Sequence, residues 1–338
     1  MNAQNLDLTH LDDWIREHVP TFKGPLRAEK FAGGQSNPTF KLTAGDNHYV
    51  LRRKPPGKLL ASAHMVDREF RVISALSNTD VPVPQAIALC DDDNVIGSMF
   101  YIMEYLEGRI LWDPVLEDLD SEQRTAHYDE MNRVLAALHN VDIEAVGLSD
   151  YGKPGNYFER QVSRWTKQYR ASETEHLTAM ERLIAWLPDN MPADDGRLAL
   201  VHGDYRLDNV MWHPTEPRII AVLDWELSTL GNPIADLAYQ VMAWQLPRGG
   251  GINGMAGIDR APLGIPSDSA YIESYCERTG RSEIPHWNFY MAFCFFRLAA
   301  IVQGVKKRAL DGNASSEDAA SRGDLVQPLA ALGLTHLH

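Results

Sequence analysis

Residues 201–212 read VHGDYRLDNVMW and crowd acidic, basic and amide side chains between apolar flanks. Such polar groups are costly to bury unless each finds a partner. Asp204 follows the apolar run LALVH, Asn209 comes soon after it, and Asp224 ends the next apolar run, IIAVLD. If these two runs form neighbouring strands, the three side chains meet at one end of a small ribbon. The oxygens of Asn209 and Asp224 suit a hard ion such as Mg²⁺, which leaves Asp204 free to accept a proton from a hydroxyl.

The motif HGDYRLDN followed by DWE resembles the protein-kinase pattern H-R-D-x-x-x-x-N followed by D-F-G. With glycine after the histidine, it is similar to the aminoglycoside-phosphotransferase-like, or choline-kinase-like, small-molecule kinases. The resemblance implies an ATP- and Mg²⁺-dependent transfer of a phosphoryl group to a small-molecule hydroxyl. Asp204 would then orient and deprotonate the acceptor, and Asn209 and Asp224 would hold Mg²⁺. Arg206 would stabilise charge on the moving phosphoryl group.

The same resemblance predicts a phosphate-covering glycine loop in FAGGQSNPTFKL, ahead of the first strands. Glycines allow close backbone approach, and the polar side chains after them can donate hydrogen bonds. The predicted nucleotide contacts of this loop are Gly33, Gly34, Gln35, Ser36 and Asn37.

Further along, YVLRR offers Arg52 where protein kinases carry a phosphate-binding lysine, although adjacent Arg53 leaves the register open. Glu69, on the helix containing DREFRV, is the predicted ion-pair partner of Arg52. The segment YIMEYLEG is the predicted hinge, where backbone groups near Glu104 and Leu106 would bind adenine.

Three other acidic or histidine positions have structural interpretations. The family pattern makes His202 a hydrogen-bonding residue rather than a base. Asp236, in NPIADLAY, is expected to anchor the catalytic loop, with a helix cap as the alternative. Glu226 replaces the glycine of D-F-G, and a metal contact, a water contact and exposure to solvent all stay open for it.

The periodicity of apolar residues indicates which elements must position these groups. A helical stripe over 8–19 precedes two strand-like runs, PTFKLTA and HYVLRR, that bracket the turn GDN. A helix around DREFRV and strands in VPVPQAIALC and SMFYIMEYLEG follow. After Gly108 the pattern is mostly helical, beginning with a helix capped by Ser121. We therefore predict an α+β, two-lobed protein-kinase-like fold. Residues 1–107 would form a nucleotide-binding lobe with a small antiparallel sheet, and residues 108–338 a mainly helical catalytic and substrate-binding lobe.

The composition is that of a soluble globular protein, with 338 residues, 44% hydrophobic and 23% charged. A net charge of −14 argues against general nucleic-acid binding, which needs a basic face. The N-terminal residues lack a signal-peptide pattern, and the apolar run MAFCFFRLAAIV is short for a bilayer and contains Arg297. A cytoplasmic protein that binds neither membrane nor nucleic acid is expected, and its oligomeric state stays open.

Two further stretches narrow the substrate. LRRKPPGKLLASAHMVDREFRVI and GINGMAGIDRAPLGIP resemble the kinase-like domain found alone in bacteria and fused to acyl-CoA dehydrogenase domains in animals. That resemblance implies phosphorylation of hydroxy acids, as 4-hydroxyacyl-CoA thioesters. The alternatives are an aminoglycoside antibiotic kinase and a catalytically silent nucleotide-binding protein. Basic residues in two runs could hold the phosphates of CoA or form a solvated face; they are Arg53, Lys54, Lys58, Lys306, Lys307 and Arg308.

Overall fold

The computed structural model describes residues 6–31, 37–55, 65–153, 155–249, 253–312 and 323–338. The chain forms two compact units. The first contains residues 1–110, 144–148 and 208–227, and the second contains residues 111–143, 149–207 and 228–338. Four of the predicted glycine-loop contacts, Gly33, Gly34, Gln35 and Ser36, lie outside the described residues, as does Lys58.

The first unit is built on a five-stranded antiparallel sheet of order β1-β2-β3-β5-β4. The strands are β1 (Leu26–Lys30), β2 (Thr39–Ala44), β3 (Asn47–Arg53), β4 (Ala86–Cys90) and β5 (Phe100–Glu104). β2 and β3 form the predicted hairpin across the turn GDN. Alternate residues of β2 are buried, as expected for a strand whose successive side chains point to opposite faces.

Helices pack against the sheet of the first unit, and their contacts show which strand residues lie on each face of the sheet. They are α1 (Leu8–His18), α2 (Val66–Leu76) and the short α3 (Asp93–Ile96). Leu11 of α1 shares one apolar core with Leu51 and Ile102, which lie opposite each other on β3 and β5. The next pair, Arg52 and Tyr101, must therefore lie on the other face of the sheet.

A small three-stranded sheet completes the first unit. It joins β6 (Arg109–Ile110) to a hairpin of β8 (Val210–Trp212) and β9 (Ile219–Val222).

The apolar run LALV forms β7 (Ala199–Val201), which pairs with β10 (Thr229–Gly231). The prediction that this run pairs with IIAVLD was wrong, because β9 pairs with β8 across a short local turn. The strand VMW was too short to be recognised by its periodicity.

The second unit is mainly helical. Its helices are α4 (Ser121–His139), α5 (Tyr157–Ser172), α6 (Thr178–Asp189), α7 (Ile234–Trp244), α8 (Asp268–Thr279), α9 (Trp287–Leu310) and α10 (Val326–Leu334). The predicted cap of α4 was wrong by one residue. Asp120 is the cap, and it accepts a hydrogen bond from the backbone N–H of Gln123, whose side chain reaches back to Asp120.

Helix α9 is the centre of the second unit. It packs against α5, α6, α7 and α10. By length and composition it could cross a membrane, with a mean hydropathy of 1.4, but 83% of its apolar window is buried inside the protein. That burial is typical of the core helix of a globular protein.

Candidate active site

A cluster of charged side chains lies on the α2 face of the sheet. Arg52 Nε lies 2.7 Å from Glu69 Oε2, and Arg52 Nη2 lies 2.6 Å from Asp224 Oδ1. Arg53 points to the opposite face, where it is buried and donates to the carbonyl of Ile96. The predicted pairing of Arg52 with Glu69 is thus present, and the ambiguity between Arg52 and Arg53 is resolved. We name Arg52, Glu69 and Asp224 the arginine cluster.

Glu69 has two further partners that account for its burial. Its Oε1 accepts a 2.7 Å hydrogen bond from Asn37 Nδ2, and its Oε2 accepts a 3.2 Å bond from the hydroxyl of Tyr101. Asn37 is fully buried. Its amide therefore supports Glu69 in this structure, instead of facing outward as a phosphate donor as the sequence suggested. The prediction had placed Asn37 at the phosphates because it lies in the predicted glycine loop and its side chain can donate hydrogen bonds.

Burial and charge act in opposite directions on the arginine cluster. Burial raises the pKa of Glu69, the charge of Arg52 lowers it, and the charges of Asp224 and Glu226 raise it, so that together they bring this pKa to about 7. For Arg52, burial works toward a lower pKa, but the surrounding anions, Glu69 first, raise that pKa above its ordinary value. Arg52 therefore stays charged, and Glu69 is the member of the cluster that can take up a proton near neutral pH. Half-buried Glu226 belongs to the electrostatic environment of Arg52.

This raised pKa predicts how stability depends on pH. The folded protein binds a proton at Glu69 more readily than the unfolded chain does, so the stabilisation is complete below the unfolded pKa of 4.5 and is lost as pH rises through about 7. In metal-free buffer, we expect the melting temperature of wild type minus that of Glu69→Gln to fall as pH is raised from 5 to 8. The measurement is differential scanning fluorimetry of both proteins across that range. A constant difference would contradict the raised pKa.

Asn209 and Asp224 come together through the β8–β9 hairpin. Val210 pairs with Val222, and the carbonyl of Asn209 accepts a 2.8 Å bond from the N–H of Leu223. Asp224 has a φ of +63°, a left-handed backbone conformation that Asp tolerates better than most residues. Its side chain is 37% exposed. A carboxylate and an amide oxygen at the ends of paired strands form a donor set that fits Mg²⁺.

A cavity of about 310 Å³ lies at the predicted hinge. Both hinge residues, Glu104 and Leu106, line it. Its other walls are mainly apolar, and they include Val50, Met103, Met211 and Leu223, together with Phe31, Pro84, Tyr105, Glu107 and Gly108. A mostly apolar cavity of this size fits a flat heteroaromatic base such as adenine.

The loop after β7 belongs to the second unit and carries Asp204. The backbone N–H groups of His202 and Gly203 donate to Asp236, at 2.6 and 2.8 Å. His202 is fully buried, and its Nδ1 accepts from the N–H of Asp204 at 3.2 Å. Gly203 has a φ of +86°, which favours glycine at this turn. The structural roles predicted for His202 and Asp236 are confirmed.

Asp204 itself is only partly covered. Its side chain is 23% exposed, and its Oδ1 lies 3.3 Å from Arg206 Nε. A carboxylate offers about four acceptor positions. Asp204 can therefore keep its contact with Arg206 and still receive an acceptor hydroxyl.

Sequence reasoning missed several residues that hold this loop. Buried Arg297 on α9 donates from Nη2 to the carbonyl of Gly203 at 2.7 Å. His139 on α4 lies 3.3 Å from Asp236 Oδ2 and also contacts the hydroxyl of Tyr275 at 2.7 Å. One signal was available, because an arginine within the apolar run MAFCFFRLAAIV requires a polar partner in the core.

Asp236 is stable as an anion although it is buried. Burial alone would raise its pKa, but the hydrogen bond and charge of His139, the charge of His202 and the amide of Gly203 together bring that pKa below its usual value. The carboxylate is therefore the natural acceptor for two backbone N–H groups at once.

Replacing Asp236 should make the protein less stable toward unfolding. The two backbone N–H groups donate to different oxygens of Asp236, and Asp236→Asn turns one of these acceptors into an NH2 donor. The buried partners also lose their charge complement. We expect the free energy of unfolding to fall by about 3 kcal/mol. Chemical denaturation of wild type, Asp236→Asn and the exposed control Asp189→Asn measures this. A variant as stable as the control would show that Asp236 does not anchor the loop.

Comparison with known proteins places the chain in a family. A model of the phosphotransferase enzyme family matches residues 27–271. Acyl-CoA dehydrogenase family member 10 of Mus musculus is 51% identical over 310 residues, which are 91% of this chain and 29% of the mouse protein. The chain thus spans less than a third of that relative.

Solved structures give the fold. A protein of Ralstonia eutropha JMP134, provisionally named an aminoglycoside phosphotransferase, is 52% identical, with a TM-score of 0.91 and 98% of each chain covered. Spectinomycin phosphotransferase APH(9)-Ia, in complex with ADP and spectinomycin, is 12% identical with a TM-score of 0.65, covering 98% of this chain and 99% of its own. This second likeness concerns the fold alone. The chain therefore belongs to the phosphotransferase enzyme family, has the predicted protein-kinase-like α+β fold, and is a small-molecule kinase.

Proposed function

We propose that this kinase transfers the γ-phosphoryl group of ATP to the hydroxyl of a hydroxyacyl-CoA thioester or the related hydroxy acid. The observation that carries this substrate class is the 51% identity, over nearly the whole chain, to a protein named acyl-CoA dehydrogenase family member 10. A kinase domain in such a protein would act on the same thioester pool as its companion domain.

The residues of the site divide the work as follows. Asp204 accepts the proton of the acceptor hydroxyl while the new O–P bond forms and the bond between the β- and γ-phosphates breaks. Arg52, held by Glu69, binds phosphate oxygens, and the hinge cavity takes the adenine. Asn209 and Asp224 would hold Mg²⁺, which when bound would neutralise phosphate charge. Arg206, which lies 3.3 Å from Asp204, stabilises charge on the transferring group.

The basic residues considered for CoA give this proposal no support. Lys306 lies 2.6 Å from Glu175, and Lys307 lies 2.7 Å from Asp311. Lys54 lies 3.8 Å from Asp67. These pairings are typical of a solvated surface, so the substrate proposal depends on the relatives and not on a basic patch.

The rival acceptor is an aminoglycoside, which the name of the Ralstonia relative favours. ADP release from MgATP, measured with a 4-hydroxyacyl-CoA panel and with kanamycin, separates the two. We expect release that depends on a hydroxyacyl-CoA. ADP release that depends on kanamycin instead would show that the acceptor is an aminoglycoside and not a hydroxyacyl-CoA. A thermal shift with MgATP but no ADP release with any acceptor would favour a silent nucleotide-binding protein. Asp204→Asn controls for contaminating kinases.

A further inference from the structure

A tyrosine from α7 contacts the side chain of Asp204. Tyr239 is buried, and its hydroxyl donates a hydrogen bond to the carboxylate of Asp204. A phenol hydroxyl has one proton to donate, and a carboxylate can only accept. Arg206 Nε lies 3.3 Å from Oδ1 of the same carboxylate, so Asp204 is held by a hydrogen bond from Tyr239 and by an ion pair with Arg206.

The ring of Tyr239 is itself fixed by Arg297. The guanidinium carbon of Arg297 lies 5.3 Å from the centre of the Tyr239 ring and 5.7 Å from that of Trp165. The same guanidinium donates to the carbonyl of Gly203, the residue before Asp204. Arg297 therefore contacts both the backbone of the loop at Gly203 and the ring of Tyr239, whose hydroxyl is hydrogen-bonded to Asp204.

We propose that Tyr239 is a positioning residue for phosphoryl transfer, which sets the orientation of the Asp204 carboxylate toward the acceptor hydroxyl, and that Arg297 holds Tyr239 in place. This rests on the proposed function, in which Asp204 is the proton acceptor. Because a kinase transition state needs positioning more than covalent chemistry, a carboxylate free to rotate should slow transfer. ATP binding should be unaffected, since Tyr239 lies in the second unit and the arginine cluster in the first.

Tyr239→Phe tests this directly, because it keeps the ring and removes only the hydroxyl. We expect kcat to fall about tenfold, since a hydrogen bond to a charged group is worth at least that factor in rate. The KM for ATP should change less than about twofold, as expected for a group that acts only on the transfer step. The melting temperature should stay close to wild type because the contact with Arg297 survives.

Two variants act as controls. Tyr271→Phe removes another buried hydroxyl of the second unit, which donates to Gln240 at 2.9 Å, and should keep the wild-type kcat. Arg297→Met should lower both kcat and the melting temperature, because it removes the bond to Gly203 as well as the contact with Tyr239.

The assay is ADP release from MgATP, with 4-hydroxypentanoyl-CoA and, in parallel, with water as the acceptor. If Tyr239→Phe keeps the wild-type kcat while Asp204→Asn is inactive, the positioning role is wrong and the proposed function stands. If Asp204→Asn is fully active, the proposed function itself fails. A loss in Tyr239→Phe matched by an equal loss in Tyr271→Phe would mean that general destabilisation, rather than positioning, slows the enzyme.

Discussion

Asp204→Asn should release ADP between about 10²- and 10⁴-fold more slowly than wild type, because an amide cannot accept the hydroxyl proton. The substitution keeps the shape of the side chain and its capacity to bond Tyr239 through the amide oxygen. The arginine cluster and the hinge cavity belong to the other unit of the chain and are unchanged. Nucleotide affinity, measured by calorimetric titration with MgATP, should therefore stay within about threefold of wild type.

Asp189→Asn is the matched control for this experiment, since it makes the same change at an exposed position on α6. Equal turnover in wild type and Asp204→Asn would show that Asp204 does not accept the hydroxyl proton. A parallel loss of MgATP binding would instead indicate that Asp204 supports the nucleotide site.

Asp224→Asn should have the second largest effect, with turnover lower by about 10²- to 10³-fold. Two functions are lost together. The metal loses its anionic ligand, so half-maximal activity should require at least about tenfold more Mg²⁺. Arg52 also loses the negative charge of its partner at 2.6 Å, although its ion pair with Glu69 stays. Titration of activity against Mg²⁺ at saturating ATP measures the first effect.

Asn209→Asp provides the comparison for Asp224→Asn. It keeps an oxygen ligand and adds charge, so its Mg²⁺ requirement should not rise. If Asp224→Asn reached wild-type turnover at ordinary Mg²⁺ concentrations, Asp224 would be a structural partner of Arg52 and not a metal ligand.

The local features of the fold could be predicted from the sequence, and the distant ones could not. The β2–β3 hairpin follows from alternation around the turn GDN, and the pairing of Arg52 with Glu69 follows from the motif order. The pairing of β7 with β10 could not be foreseen, because each strand has three residues and carries no usable period. In such short strands, the partner is decided by packing within the whole unit.

The candidate site shows the same division. His202, Asp204 and Asp236 were recognisable because they belong to motifs that are compact in the chain. Tyr239 was missed as a partner of that loop, since it looks like an ordinary core residue in an apolar helix. Arg297 was missed because the sequence shows that an arginine in an apolar run needs a polar partner but does not show which one. Asn37 was assigned to the phosphates because its side chain can donate hydrogen bonds, and in the structure its amide donates to Glu69 at 2.7 Å. Only coordinates reveal where such a side chain points.

The path of the chain has a practical consequence for dissecting this enzyme. A recombinant fragment that stops at residue 110 would lack residues 208–227, which supply β8, β9 and the carboxylate that meets Arg52. Such a fragment would leave β6 without its partner strand and the guanidinium of Arg52 with one of its anions missing. Expression trials or complementation experiments should therefore supply the missing stretch in trans, or keep the polypeptide whole.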